Sequence, residues 1–256
     1  MAEVLDLSDG GYRFVKGVYP YSAGVAPLVG YELERARFHR PMPLAAGFKA
    51  IEAHLKSIGR PLTALCACEL RSPAPFTEQG FADFNQEYVG KLIEWNLFRN
   101  DVNPVARSNV CPEIDKPATP SFYAFTYTVP ARRAGSGVAR PSFVVAGSGE
   151  CPEGLSNYHD HIIRRNDVSP VGLLAKAQWV LGEMERRMAA LGFGWRDATA
   201  TQVYTVHDIH GLMASELGPR GLLRDGLTWH FNRPPVDGLE FEMDCRAVTL
   251  ERVLQV

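Results

Sequence analysis

Two charged groups in this chain are of the kind that handle small acids. Arg107 opens the run Arg107-Ser-Asn-Val-Cys111. A planar guanidinium on a stiff extended segment grips a carboxylate through two parallel hydrogen bonds. Glu240 stands in Leu239-Glu-Phe-Glu-Met243. A carboxyl in a partly apolar cleft holds and directs a water, and burial raises its pKa. Each has a plainer explanation. Arg107 could be a surface cation paired with Glu113 or Asp115. Glu240 and Glu242, two apart on an extended run, would share one sheet face, where Arg246 could neutralise them. Tyr21, Gly24 and Asn85 could complete a cleft around a ligand. An amide offers both donor and acceptor, and glycine lets a ligand approach the backbone N–H. A packed tyrosine, a strand-end glycine and a helix-face asparagine explain the same residues without a ligand.

Other chemistries find less support. His159-Asp-His161 and His207-Asp-Ile-His210 bring imidazoles together, but no cysteine pair stands at finger-like spacing. Cys66 and Cys68 fall on one face of an expected strand, and Cys111 lacks a recognisable catalytic partner. Gly147-Ser-Gly149 does not extend to a dinucleotide or phosphate-loop fingerprint. No metal and no cofactor are expected.

The bulk properties narrow the partners. The chain has 256 residues, 46% hydrophobic and 22% charged, which leaves room for two domains of ordinary size. A formal net charge of −2 supplies no basic excess for a phosphate backbone, so nucleic acid is not expected. No apolar run reaches the roughly 20 residues of a membrane-spanning helix. Met1-Ala-Glu-Val-Leu-Asp lacks the basic start of a signal peptide. Five cysteines, an odd number without framework spacing, point to a reducing cytoplasm.

Two similar sets of elements would have to position these groups. A Gly-, Ala- and Arg-rich stretch at 131–141 reads as a linker between a first domain, 1–130, and a second, 142–256. The first opens with a strand-like run from Tyr19 to Val25, the second with Phe143 to Gly149. A variable loop follows in each, then an amphipathic helix: Leu44 to Ile58 and Val171 to Leu191, each ended by a glycine, Gly59 or Gly192. Strands are expected over Leu62 to Cys68 and Ala200 to Val206. A second helix is expected over Gly80 to Trp95, with a shorter counterpart near Met213 to Leu217. Closing strands fall at Ser108 to Cys111 and Phe122 to Val129, and at Thr228 to Phe231 and Leu239 to Val248. This order predicts an α+β fold with helices on one face of a mixed sheet in each unit.

Phe84-Asn-Gln-Glu-Tyr88, Pro104-Val-Ala-Arg-Ser108 and Glu240-Phe-Glu242, in that order of elements, resemble the RidA (YjgF-like, reactive-intermediate deaminase) family in tandem duplicated form. The resemblance implies two chorismate-mutase-like units, a homotrimer with clefts between subunits, and cofactor-free hydrolysis of a small carboxylate-bearing imine or enamine, such as 2-aminoacrylate or 2-aminomuconate. It makes Arg107 and Glu240 the catalytic pair of a composite cleft, with Tyr21, Gly24, Asn85 and Asn109 binding substrate. Asn109 stands where the family often carries cysteine. The first half has Phe122-Tyr-Ala-Phe125 in place of the family's glutamates, and the second half has no counterpart of Arg107. A non-catalytic acid-binding protein and a chorismatase-like enol-ether hydrolase are the alternatives.

Overall fold

The computed structural model describes residues 2–132, 141–155 and 157–255. In chain order the first elements are β1 (Val4–Leu7), β2 (Tyr12–Val15), β3 (Gly24–Pro27), β4 (Tyr31–Pro43), α1 (Leu44–Ser57), β5 (Leu65–Arg71) and α2 (Glu78–Glu94). Next come β6 (Ala106–Pro112), β7 (Ser121–Pro130), β8 (Phe143–Gly149), α3 (Tyr158–His161) and α4 (Pro170–Leu191). The chain closes with β9 (Ala200–Tyr204), α5 (His210–Leu212), β10 (Thr228–His230), β11 (Asn232–Arg233), β12 (Glu242–Ala247) and β13 (Leu250–Leu254).

The strands form two mixed sheets, one ordered β1-β2-β3-β8-β12-β9-β10 and the other β11-β6-β5-β7-β4-β13. The α+β class is as expected. Each sheet, however, draws strands from both sides of residues 131–141. β1 to β3 pair into the sheet of the later strands, and β11 and β13 into that of the earlier ones. Most of the expected linker, 133–140, lies outside the described residues. A parallel bridge between Ser22 and Ala106, with the Ser22 N–H donating to Val105 O at 3.0 Å, ties the two sheets together.

The helices form where apolar residues recur at helical spacing. On α1, Phe48, Ile51 and Leu55 are buried against β4 and β7. α4 starts at Ser169, whose hydroxyl accepts the Gly172 N–H, and ends at Gly192, which takes φ +85° as the left-handed cap. Its buried stripe includes Leu173, Ala177, Val180, Met184 and Met188, but also Lys176 and Arg187. The strand faces turned away from the helices meet in a polar layer. Ser108 of one sheet donates to Asp244 of the other at 2.6 Å, and Arg35 makes two hydrogen bonds to Glu69 at 2.5 and 2.7 Å.

This layer explains the largest departure from the expected elements. The segment read as a variable loop contains the 13-residue strand β4, with Glu34 and Arg35 buried at its centre. So many charges hide the alternation of a strand. Arg35 is satisfied by Glu69 and Glu251, and Glu34 by Arg132 and Arg252, so the ionised groups do not prevent burial.

Candidate active site

Arg107 and Asn109, two apart on β6, project from the same face of the strand into an open cleft. The opposite wall carries Glu242, the first residue of β12, and Gly147 and Gly149 of β8. Tyr21, Cys151 and Glu153 border one side, Pro235, Val236 and Leu239 another, and Phe81 of α2 reaches in beside Arg107.

Arg107 is 2% exposed, and its Nε and Nη1 have no hydrogen-bond partner among the described residues. Four aromatic rings surround the guanidinium. Its Cζ lies 4.9 Å from the ring centroid of Tyr88, 5.1 Å from Tyr21, 5.4 Å from Phe84 and 5.6 Å from Phe81. The three α2 rings follow from one helical stripe, 81, 84 and 88, and Thr77 caps that helix through the Gly80 N–H at 3.1 Å. Aromatic faces attract a cation without using its N–H groups. The donors therefore remain available to an anion. Burial lowers the pKa of this arginine, an effect opposed by the neighbouring Tyr88 and Tyr21. A bound carboxylate would remove the imbalance.

Glu242 is the buried carboxyl of the cleft. Its carboxyl is 3% exposed, and burial, helped by nearby Asp244 and Glu150, drives its pKa well above the usual carboxylate range. A methyl group at Gly147 would collide with Glu242 Oε1, so the glycine makes the space in which the carboxyl sits. Behind it, the Gly147 N–H donates to Ser108 Oγ at 3.1 Å, and Asp244 accepts from Ser108, Gln202 and Tyr204. Asn109 is oriented in the same way: its Oδ1 accepts from Ser72 at 2.9 Å, and Nδ2 has no partner among the described residues.

Two buried cations on α4 brace these walls. Lys176 Nζ is 3.0 Å from Glu150 Oε1 and donates to Ile163 O at 2.8 Å. Glu150 in turn accepts the Glu240 and Phe241 N–H groups at 2.7 and 3.0 Å, fixing the chain just before Glu242. Arg187 donates to the Ala146 and Gly147 carbonyls and pairs with Glu183 and Glu153, both at 2.8 Å.

Of the residues singled out in the sequence, Arg107, Asn109 and Tyr21 line the cleft. Glu240 does not. β12 begins at Glu242, so the two glutamates lie on no common strand face, and Glu240 instead meets His207 Nε2 at 2.7 Å. Gly24 sits where strands crowd together: a methyl there would stand 3.0 Å from Val144 O and 3.3 Å from Leu191 Cδ1. Asn85 is buried on α2 with its Oδ1 unpartnered, outside the lining of the cleft. The plain alternative for Arg107, a surface cation paired with Glu113 or Asp115, does not fit: the side chain is buried, and among the described residues Glu113 pairs instead with Lys116 and Arg233 and no ion pair joins Arg107 to Asp115. Glu153, Lys176 and Arg187 were not singled out. The signal for the two cations was present: positions 176 and 187 fall on the helical stripe of Leu173, Ala177, Val180 and Met184.

The family model for 2-aminomuconate deaminase CnbZ matches residues 4–252. A 2-amino-5-chloromuconate deaminase of Comamonas testosteroni is 52% identical over 254 residues, covering 99% of this chain and 100% of that protein. A crystal structure of chorismatase aligns with a TM-score of 0.49 at 11% identity, over 91% of this chain and 79% of that one. The expected RidA membership is corrected by the first two matches, which span nearly the whole chain under a different family. The motifs behind that expectation were short. An arginine on a strand and two glutamates near a strand start are local solutions to holding and protonating a small acid, and they do not identify a lineage.

Proposed function

Because the chain belongs to the 2-aminomuconate deaminase CnbZ family, we propose that this cleft releases ammonia from a 2-aminomuconate-like dicarboxylate without a cofactor. The observation that carries the site assignment is the Arg107 guanidinium, buried, ringed by aromatic faces and lacking partners for two of its nitrogens among the described residues. Such a group fits a substrate carboxylate, gripped by Nη2 together with one of the idle donors, Nε on one edge of the guanidinium or Nη1 on the other.

Glu242 then acts on the conjugated carbons. The protonated carboxyl gives its proton to a carbon of the dienamine while the nitrogen lone pair moves to form C=N. The products of that step are an iminium and a Glu242 carboxylate. The carboxylate next takes a proton from water as the water oxygen bonds to the iminium carbon. The resulting carbinolamine collapses: nitrogen accepts a proton and leaves with the C–N electron pair as ammonia, the hydroxyl loses its proton, and a 2-oxo acid remains. A carboxyl held neutral by burial is suited to the first step, and the nearby iminium charge favours its ionised form in the second.

The test is ammonia release from 2-aminomuconate by the wild type, Arg107→Ala and Glu242→Gln. Arg107→Ala should lose at least about 10²-fold in kcat/KM, from two charge-assisted hydrogen bonds. Glu242→Gln should lose about 10²- to 10⁴-fold, the usual contribution of a general acid. Near-wild-type rates in either variant would remove that residue from the reaction.

A further inference from the structure

We propose that Glu153 is the group that recognises the substrate's amino nitrogen, making the cleft selective for 2-amino acids over dicarboxylates of the same length that lack nitrogen. The proposal rests on the site assignment above and adds a specificity residue to it.

The cleft contains two carboxyl groups in different electrostatic settings. Glu242 is buried beside Asp244 and Glu150, which favours its neutral form. Glu153 lines the same cleft but is ion-paired with the fully buried Arg187, whose Nη2 lies 2.8 Å from Glu153 Oε1. The same oxygen accepts the Tyr21 hydroxyl at 2.9 Å. Glu153 is thus held from behind by a cation and from the side by a phenol. Its other oxygen, Oε2, has no partner among the described hydrogen bonds, and its side chain keeps 19% of its exposure.

A substrate amino group brings N–H donors and, as the iminium, a positive charge. On arrival the amino group is best met by an ionised acceptor, at a stage when Glu242 still holds the proton it delivers to carbon. The Asn109 carbonyl oxygen is already engaged by Ser72. Among the described lining residues, Glu153 is the carboxylate that remains.

The position agrees with the chemistry. Tyr21 connects the two recognition groups: Arg107 Cζ lies 5.1 Å from its ring centroid, and its hydroxyl donates to Glu153. A carboxylate on Arg107 and an amino group on the adjacent carbon would therefore lie along one aromatic edge, with the cation at one end and the carboxylate at the other. Complementary charges at two fixed points define which end of a dicarboxylate enters first, something Arg107 alone cannot do when both ends carry a carboxylate.

The experiment measures binding, so it does not depend on turnover. Calorimetry would compare adipate with 2-aminoadipate on the wild type and on Glu153→Gln. The amide keeps the bulk and an oxygen for Tyr21, and Arg187 retains Glu183. The wild type should favour 2-aminoadipate by about tenfold or more, the scale of one charge-assisted hydrogen bond. Glu153→Gln should bring the two ligands to within about threefold while leaving adipate affinity near wild type, which also reports an intact site. A wild type that does not discriminate, or a preference that survives in the variant, would overturn the role. Ammonia release by the wild type, read in parallel, keeps the two conclusions apart: an enzyme that is inactive but still discriminates would lose the deaminase assignment and keep this one.

Discussion

Glu242 Oε1 occupies the space that a β-carbon on Gly147 would fill. The position of the carboxyl proposed as the proton donor therefore depends on a missing side chain on the neighbouring strand. A methyl at 147 would also stand 3.2 Å from Ser108 Cα, so it could not turn away, and the carboxyl would have to move. Gly147→Ala should lower kcat by about 10²-fold, because displacements near 1 Å at a reacting group have that effect. KM should stay within a few-fold, since Arg107 is untouched. Steady-state kinetics decide the matter, and a variant with unchanged kcat would show that Glu242 acts from a different rotamer.

The raised pKa of Glu242 has a consequence for stability. In the unfolded chain this carboxyl ionises near its ordinary value, whereas burial keeps it protonated in the native state. Between those two pKa values the native protein binds more protons than the unfolded one, so stability falls as pH rises. The contribution is fully present below the unfolded pKa and is lost as pH rises through the folded one. The slope approaches about 1.4 kcal/mol per pH unit within that window. Glu242→Gln removes this term, so its melting temperature relative to wild type should increase from pH 5 to pH 8. A difference that is flat with pH would mean that Glu242 is ionised in the folded protein.

The elements of this fold were more legible in the sequence than its pairings. Phe143–Gly149 was expected with those bounds, and α1 and α4 differ from expectation by one residue at one end each. Periodicity is a local property, and these segments obey it. β4 did not show itself because its alternation is carried by charged residues whose partners, Glu69 and Arg252, are distant in sequence. Arg107 was visible through its strand context. That Glu242 and not Glu240 lines the cleft depends on where β12 begins, and that boundary is set by Glu150 accepting the Glu240 and Phe241 N–H groups from 90 and 91 residues away. No local pattern carries such information.

That anchor should be costly to break. Lys176 and Glu150 have fully buried side chains, and the carboxylate also holds two backbone N–H groups. Burial already raises the Glu150 pKa against the opposing effect of Lys176. Lys176→Met would leave that carboxylate without its cation and should destabilise the protein by about 3–5 kcal/mol in urea unfolding. Adding Glu150→Gln, which removes the uncompensated charge but keeps an acceptor for the backbone, should recover a substantial part of the loss. A double variant as unstable as the sum of the two singles would show that the ion pair is not the reason these groups belong together.

Arg107 and Arg187 are both almost completely buried, yet their replacement should act in opposite directions. Arg187 is paired with Glu183 and Glu153 and holds two carbonyls. Arg187→Met would leave Glu153 without its cation and the Ala146 and Gly147 carbonyls without their donor, while Glu183 keeps Arg186, and should lower stability by about 3 kcal/mol or more. Arg107 has aromatic faces around it but, among the described residues, no partner for Nε or Nη1. Its desolvation is only partly offset until substrate arrives, and methionine, of similar length, would pack against the same rings. Arg107→Met should therefore raise stability by about 1–3 kcal/mol, the usual penalty of unsatisfied buried polar groups, while abolishing turnover. For a chain of this size that corresponds to roughly 2–10 °C in melting temperature, readable by calorimetry. A lower melting temperature in Arg107→Met would mean that the cation is already satisfied in the empty cleft and is not waiting for a carboxylate.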